Sequence, residues 1–303
     1  MQADDITGFV LTCQAPAKIN LALHVVGLRA DGHHLLESLV TFADHGDRIA
    51  LAPAEVDRFT VTGRFAQDLP VSAKDKNGNL VLRARDLLRR EVTARGDEAG
   101  PVHLHLEKNL PIASGIGGGS ADAAATLRGL LALWGARVAP ARLKELALEL
   151  GADVPMCLDR RPLLAKGVGE EISPIFKLPS FSIVLVNPLV AVSTPAVFRA
   201  LTNKTNPPLA LPSGIETAEE WLAAMAGMRN DLEPPARVLE PVIEKVSDAL
   251  RAAGAGLVRM SGSGATCFGL FDDDESAAAA AQRISATHAG WYVLATRTTG
   301  KRG

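Results

Sequence analysis

Pro111-Ile112-Ala113-Ser114-Gly115-Ile116-Gly117-Gly118-Gly119-Ser120-Ala121-Asp122-Ala123-Ala124-Ala125 sets four glycines within five positions, directly ahead of an alanine-rich run. Glycine reaches positive φ without steric cost and lets a ligand come close to the main chain. The run behind it keeps helical spacing, with Ala123, Leu127, Leu130, Leu131 and Trp134 on one stripe. A helix starting there aims its unpaired N–H groups and the positive end of its dipole back at the glycines. That is an anion site, and phosphate is its usual occupant. The P-loop pattern does not fit, because Gly119 is followed by Ser120-Ala121 and not by Lys-Ser/Thr. The dinucleotide fingerprint does not fit either, since Ser120 stands where its third glycine belongs. The readings left are a flexible loop before a helix and a nucleotide-phosphate cradle of another family.

Working upstream, Val102-His103-Leu104-His105-Leu106 alternates and predicts a strand with both histidines on its polar face. No carboxylate or thiolate stands near that pair in sequence, so a solvated face is favoured over a metal site. From Asn79, a plausible N-cap, Leu80, Ala84, Leu87 and Leu88 keep helical spacing. Phe59-Thr60-Val61-Thr62 and Asp47-Arg48-Ile49-Ala50-Leu51 predict short strands. The stretch Phe9 to Val25 alternates around Pro16 and predicts strands with one buried face. On that pattern alone Lys18 is a solvated strand lysine.

Downstream, Leu143, Leu146, Ala147 and Leu150 predict a helix capped by a left-handed Gly151. In Ala152-Asp153-Val154-Pro155 the proline disfavours helix at Val154, so Asp153 is expected in a short rigid turn. A plain turn residue and a functional carboxylate both satisfy that position. Ser182 to Asn187 predicts a buried strand, Thr217 and Glu220 a capping box, and Val238 to Leu250 one long amphipathic helix. Strand Gly256–Met260, turn Ser261-Gly262-Ser263-Gly264, strand Ala265–Phe271, helix Glu275–Ile284 and strand Trp291–Ala295 then follow. This β-α-β-β-α-β order is the ferredoxin-like, split-βαβ arrangement. The glycine-rich turn is explained locally as a β-hairpin. A boundary is expected near residue 165, giving domains 1–165 and 166–303, because 303 residues exceed one ordinary core.

Hydrophobic content of 47% and charged content of 22% describe a soluble globular chain. A net charge of −2 with 4% aromatics argues against a nucleic-acid partner, which calls for a basic stripe with interleaved aromatics. Cys13, Cys157 and Cys267 lie far apart among apolar neighbours, which suggests buried core groups and neither a disulfide framework nor a zinc site. No charged-then-apolar leader opens the chain and no apolar run is long enough to span a bilayer, so a cytoplasmic setting without a membrane partner is expected.

Three pieces stand in order: Ala15-Pro16-Ala17-Lys18-Ile19-Asn20-Leu21, the glycine loop with Asp122, and Met260-Ser261-Gly262-Ser263-Gly264-Ala265. Together they resemble the GHMP small-molecule kinases. Arg29-Ala30-Asp31-Gly32-His33-His34, Gly151 to Pro155, Gly167-Val168-Gly169-Glu170 and Ser193 to Phe198 resemble one branch of that family. Its acceptor is a methylerythritol alcohol carrying a cytidine diphosphate group, on the non-mevalonate route to isoprenoids. The resemblance implies an α+β, two-domain fold: an N-terminal mixed α/β nucleotide-binding domain and a C-terminal ferredoxin-like domain, with ATP between them.

The resemblance further implies ATP phosphates on Pro111 to Ala121, with Asn79 and Lys108 beside the nucleotide. Lys18 and Asp153 match the catalytic pair. An aliphatic hydroxyl is a weak nucleophile, so a carboxylate that accepts its proton suits Asp153, and Lys18 would offset charge built up in transfer. Asn20, His33, His34, Thr194 and Phe198 match substrate positions: His34 on cytosine, with Phe198 stacked on the base. His33 stands where the family usually has tyrosine, and Ala121 replaces a common second serine. Mg2+ is expected on the β- and γ-phosphates, with no clear carboxylate ligand visible in the sequence. A monomer or a homodimer is expected. The competing readings are a homoserine- or mevalonate-type kinase of the same family, which the His33-His34 and Thr194–Phe198 features disfavour, and a non-catalytic nucleotide- or RNA-binding module.

Overall fold

The alternating stretch Phe9 to Val25 holds one long strand where the pattern suggests several. In the computed structural model, which describes residues 8–69 and 78–301, β1 spans Leu11–Leu28 and passes through Pro16 without a break. From Ala17 to Val25 every residue is buried, including Lys18, Asn20 and His24. The expected polar face is therefore interior, and its side chains need partners there. β2 (His34–Pro53) is likewise a single strand, of which Asp47 to Leu51 is only a part.

The described residues fall into two compact units. The first draws on Met1–Ala17, Gly46–Ile112 and Gly118–Asp159; the second on Lys18–His45, Ala113–Gly117 and Arg160–Gly303. β1 and β2 each contribute residues to both.

In the first unit, β3 (Arg58–Thr62) runs parallel to β4 (Val102–Glu107), and β4 is antiparallel to the later part of β2, from Arg48↔Glu107 to Pro53↔Val102. His103 and His105 bond the hydroxyls of Thr60 and Thr62 at 2.8–2.9 Å. They are satisfied strand residues, and no group of three metal-ligating side chains forms among the described residues. α1 (Leu80–Ala94) begins at Asn79, whose side chain accepts from the Val81 N–H as predicted. It packs on α2 (Gly118–Trp134). α2 lies so close to the strands that a Cβ at Gly129 would meet Leu51 Cδ1 at 2.6 Å and Cys13 Sγ at 3.2 Å.

α3 (Pro140–Leu150) ends at Gly151, which has φ 164 and ψ 154. This is extended backbone, not the left-handed cap expected. α4 (Val154–Asp159) starts at Val154, so the proline does not exclude helix there. Pro155 occupies the first turn, where a missing N–H costs nothing, and Asp153 is the residue immediately ahead of it.

In the second unit, β5 (Leu163–Gly167) pairs with the early part of β2, Leu36↔Gly167 to Val40↔Leu163, and with β6 (Glu171–Pro174). β7 (Ser182–Asn187) is buried throughout. α5 (Thr194–Ala200) and α6 (Ala218–Ala226) follow, the latter with the predicted Thr217–Glu220 capping box. The long helix expected from Val238 is instead two: α7 (Glu233–Leu239) and α8 (Val242–Ala252). Pro241 breaks it, since proline lacks an N–H and clashes with the preceding turn; Val238 is left 79% exposed. β8 (Leu257–Met260), β9 (Cys267–Phe271), α9 (Asp274–Thr287) and β10 (Tyr292–Arg297) complete the chain order.

The sheet order β10-β7-β9-β8, antiparallel throughout, is the ferredoxin-like arrangement the sequence predicts. α8 and α9 pack on this sheet, and Val184, Val186, Ile243, Val246, Leu250, Cys267, Ala280 and Ile284 fill the core. Burial pushes the Cys267 thiol up to about 12, so it behaves as a small apolar group. No helix among the described residues is long and apolar enough to cross a membrane.

Candidate active site

The glycine stretch forms a loop that ends in a helix, as the sequence predicts. Positive φ falls at Ala113 (49), Gly115 (77) and Gly117 (64), and α2 starts at Gly118 with no acid in its first turn. Gly119 is exposed and Ser120 half-buried, so the first N–H groups of α2 border solvent, where an anion can reach them. Ala121 is 1% exposed. A hydroxyl at that position would be buried in the helix packing, which makes alanine a natural occupant.

In the first unit, Lys108 is 2% exposed. Its ammonium donates to Asp47 and, at 3.0 Å, to Asp122 Oδ2. Burial works against that charge, but Asp122 and Asp47 outweigh it and hold the lysine above its ordinary value. Burial also pushes the Asp122 carboxyl up to about 8; Lys108 opposes the shift and Asp47 adds to it. Asp122 Oδ1 is buried without a hydrogen bond. Nearby, a Cβ on Gly119 would stand 3.4 Å from Leu80 Cδ1, so the capped start of α1 adjoins the start of α2. Asn79 Nδ2 is buried and unbonded there among the described residues. A buried donor with no partner among the described residues is uncommon in a folded protein. Asp153 is half-buried just before α4.

In the second unit, Lys18 is 4% exposed and not solvated as its strand pattern suggested. Its ammonium donates to Asn20 Oδ1 at 2.8 Å, Asn20 Nδ2 donates to Ser38 Oγ at 2.7 Å, and Ser38 Oγ donates to the Ala22 carbonyl at 2.7 Å. The Lys18 N–H donates to the Ile116 carbonyl at 2.8 Å. A Cβ on Gly117 would lie 3.1 Å from both Cβ and Cε of Lys18. Lys18, Asn20 and the loop centre are thus one packed group.

The second glycine turn is more than a local hairpin. Ser261 Oγ donates to the Gly115 carbonyl at 3.0 Å and accepts from the Asn20 N–H at 3.1 Å. A Cβ on Gly262 would meet the Gly115 carbonyl oxygen at 2.7 Å. Asn230 Nδ2 secures the turn by donating to the carbonyls of Met260 (2.7 Å) and Gly262 (2.8 Å). The residues that sequence reasoning missed are these supports, Asp47, Ser38 and Asn230. They carry no local motif, and only their burial as polar groups marks them.

At the predicted base site, the His34 ring stacks on Phe198 with centroids 4.7 Å apart and planes 29° apart. Burial, with help from Lys204, lowers the His34 pKa, so the ring is neutral at neutral pH. Its Nε2 is buried without a partner. His33 instead points its ring to solvent, 68% exposed, with Nδ1 3.2 Å from Asp31. Thr194 bonds Ser263 Oγ at 2.7 Å at the start of α5, one turn of helix before Phe198.

Comparisons with known proteins agree over the whole chain. The family described as GHMP kinases N terminal domain matches residues 79–160, and GHMP kinases C terminal matches residues 213–290. A protein of Sinorhizobium medicae named 4-diphosphocytidyl-2-C-methyl-D-erythritol kinase is 72% identical over 303 residues, covering 100% of both chains. One of Rhizobium meliloti with the same name is 73% identical over the same span, again covering 100% of both. Among solved structures, a 4-(cytidine 5'-diphospho)-2C-methyl-D-erythritol kinase matches at TM-score 0.79 with 35% identity, over 96% of this chain and 100% of that one.

Proposed function

This chain belongs to the GHMP kinases, and from that membership we propose that it transfers the γ-phosphoryl group of ATP to the 2-hydroxyl of 4-diphosphocytidyl-2-C-methyl-D-erythritol. The products are the 2-phosphate and ADP, and the step belongs to non-mevalonate isoprenoid precursor synthesis. The observation that carries the choice of acceptor is His34: a neutral ring, stacked on Phe198, with a buried ring nitrogen left for a ligand. Homoserine and mevalonate have no aromatic base to answer it.

In this reading the main chain from Pro111 to Ala121 and the first N–H groups of α2 hold the phosphates. Asn79 and Lys108 serve the nucleotide side; Asn20, His33, His34, Thr194 and Phe198 serve the acceptor. As the acceptor oxygen attacks the γ-phosphorus, its proton passes to the Asp153 carboxylate. The bond from that phosphorus to the β-phosphate oxygen breaks, and ADP leaves with the electron pair. Lys18, oriented by Asn20, offsets the negative charge of the transferring group. In so dry a setting its effect is larger than in water.

Mg2+ accompanies ATP in such transfers. In this reading the ion would be carried mainly by the phosphates and water, with Asp122 engaged by Lys108, and the steps above rest on side chains and backbone. We assign the protein to the cytoplasm, as a monomer or homodimer, and keep the domain boundary near residue 165, between the two family matches.

ADP release from the purified protein, measured with diphosphocytidyl-methylerythritol, homoserine and mevalonate in turn, tests the assignment. Turnover is expected with the first alone; turnover confined to either of the others overturns it.

A further inference from the structure

A loop with four glycines in five positions is intrinsically loose, because glycine loses more conformational freedom on ordering than any other residue. Something outside the loop must hold it if its N–H groups are to be aimed before phosphate arrives. At its leading end, Asp47 Oδ1 accepts the N–H groups of Asn109 at 2.6 Å and Leu110 at 2.8 Å. At its trailing end, Asp122 lies on α2 and binds Lys108. Lys108 also binds Asp47, so one buried cation ties the two ends together. Its own backbone is fixed as well: its N–H donates to the Thr62 carbonyl at 2.7 Å and its carbonyl accepts from the Phe65 N–H at 3.0 Å. A Cβ on Gly118, the first residue of α2, would sit 3.0 Å from Lys108 Nζ and 3.5 Å from Asp47 Oδ2, so the ammonium lies directly beneath the helix start.

We propose that the buried triad Asp47–Lys108–Asp122 is a positioning device that fixes both ends of the glycine loop in the absence of nucleotide. Lys108 serves ATP through the shape of the loop and does not touch it. All three side chains are 0–3% exposed, so salt screens the tie much less than it would a surface pair. Holding the donors in place beforehand removes an ordering cost from binding, which is how preorganised sites gain affinity. The inference rests on the nucleotide role proposed above for the loop.

The test is the double variant Lys108→Met with Asp122→Asn. It leaves no unpaired buried ammonium, and Asp47 keeps its two backbone donors. Three readouts apply: thermal melting, KM for each substrate, and hydrogen exchange of the loop amides without ligand. The expected result is a folded protein whose KM for ATP rises ~10-fold or more, equivalent to ~1.4 kcal/mol, while KM for the alcohol acceptor stays within about twofold. Without ligand, the amides from residue 112 to 121 exchange ~10-fold faster or more, by the same conversion. Unchanged exchange with a raised KM for ATP would mean that Lys108 contacts the nucleotide, and overturns the proposal. So does an unchanged KM for ATP, or loss of the fold, since a device confined to the loop spares the rest. If the wild-type protein neither binds nor uses ATP, the proposed function fails, while the exchange measurement still decides whether the triad orders the loop.

Discussion

Asp153 and His34 illustrate two ways in which one side chain can matter to a transfer. A carboxylate that takes the acceptor proton acts only as the transition state forms. Asp153→Asn keeps the volume and removes the basicity, so kcat should fall by roughly two to four decades with KM for ATP little changed. Initial-rate kinetics decide this, and a near-normal kcat would remove Asp153 from the mechanism. His34 acts in binding. His34→Phe keeps an aromatic face for Phe198 but deletes the buried, unpartnered Nε2. One neutral hydrogen bond is worth ~1 kcal/mol, so KM for the acceptor should rise by about fivefold with KM for ATP unaltered. Equal rises in both constants would show that the substitution disturbs the fold rather than the base site.

At the scale of elements, the two glycine-rich turns explain each other. Gly115 has φ +77, and a Cβ there would collide with the Ser261 carbonyl and stand 2.8–2.9 Å from the Gly264 backbone. Gly96 has φ +85 with open space around it. Both Gly→Ala variants bear the left-handed penalty of ~1–2 kcal/mol, but only Gly115→Ala adds the collision. Its Tm should drop by ~4 °C or more below that of Gly96→Ala, and its kcat/KM for ATP should fall while that of Gly96→Ala is retained. Matching melting curves for the two would mean that the turns do not depend on contact. The sequence disclosed each turn and each flanking element, because glycine content, alternation and helical spacing are local signals. It did not disclose why the second turn is glycine-rich, since Gly115 and Gly262 meet only in three dimensions. The same limit hid the partner of Lys108, since Asp47 is 61 residues away. Where local rules misled, a stronger local rule was at work: Pro241 splits the predicted long helix, and Pro155 opens a helix it was expected to prevent.

For the whole molecule, the titrating groups make stability depend on pH in two opposed ways. The hydrogen bonds from Arg89 hold the Asp57 carboxyl below its ordinary value. A depressed acid stabilises the fold above its unfolded pKa of about 4, and that contribution is lost as pH falls through the folded value. Asp122 has the opposite sign. Burial raises it to about 8, so the folded state holds a proton that the unfolded chain releases above about pH 4. Its contribution is complete below that point and is lost steadily as pH rises toward 8. Wild-type stability should therefore decline between about pH 5 and pH 8 relative to Asp122→Asn, which cannot ionise, and the two curves should run parallel above about pH 9. Urea unfolding of both proteins across this range measures the difference directly. A constant offset from pH 5 to 8 would mean that Asp122 is ionised throughout, and the buried triad would then carry a net negative charge beneath the start of α2.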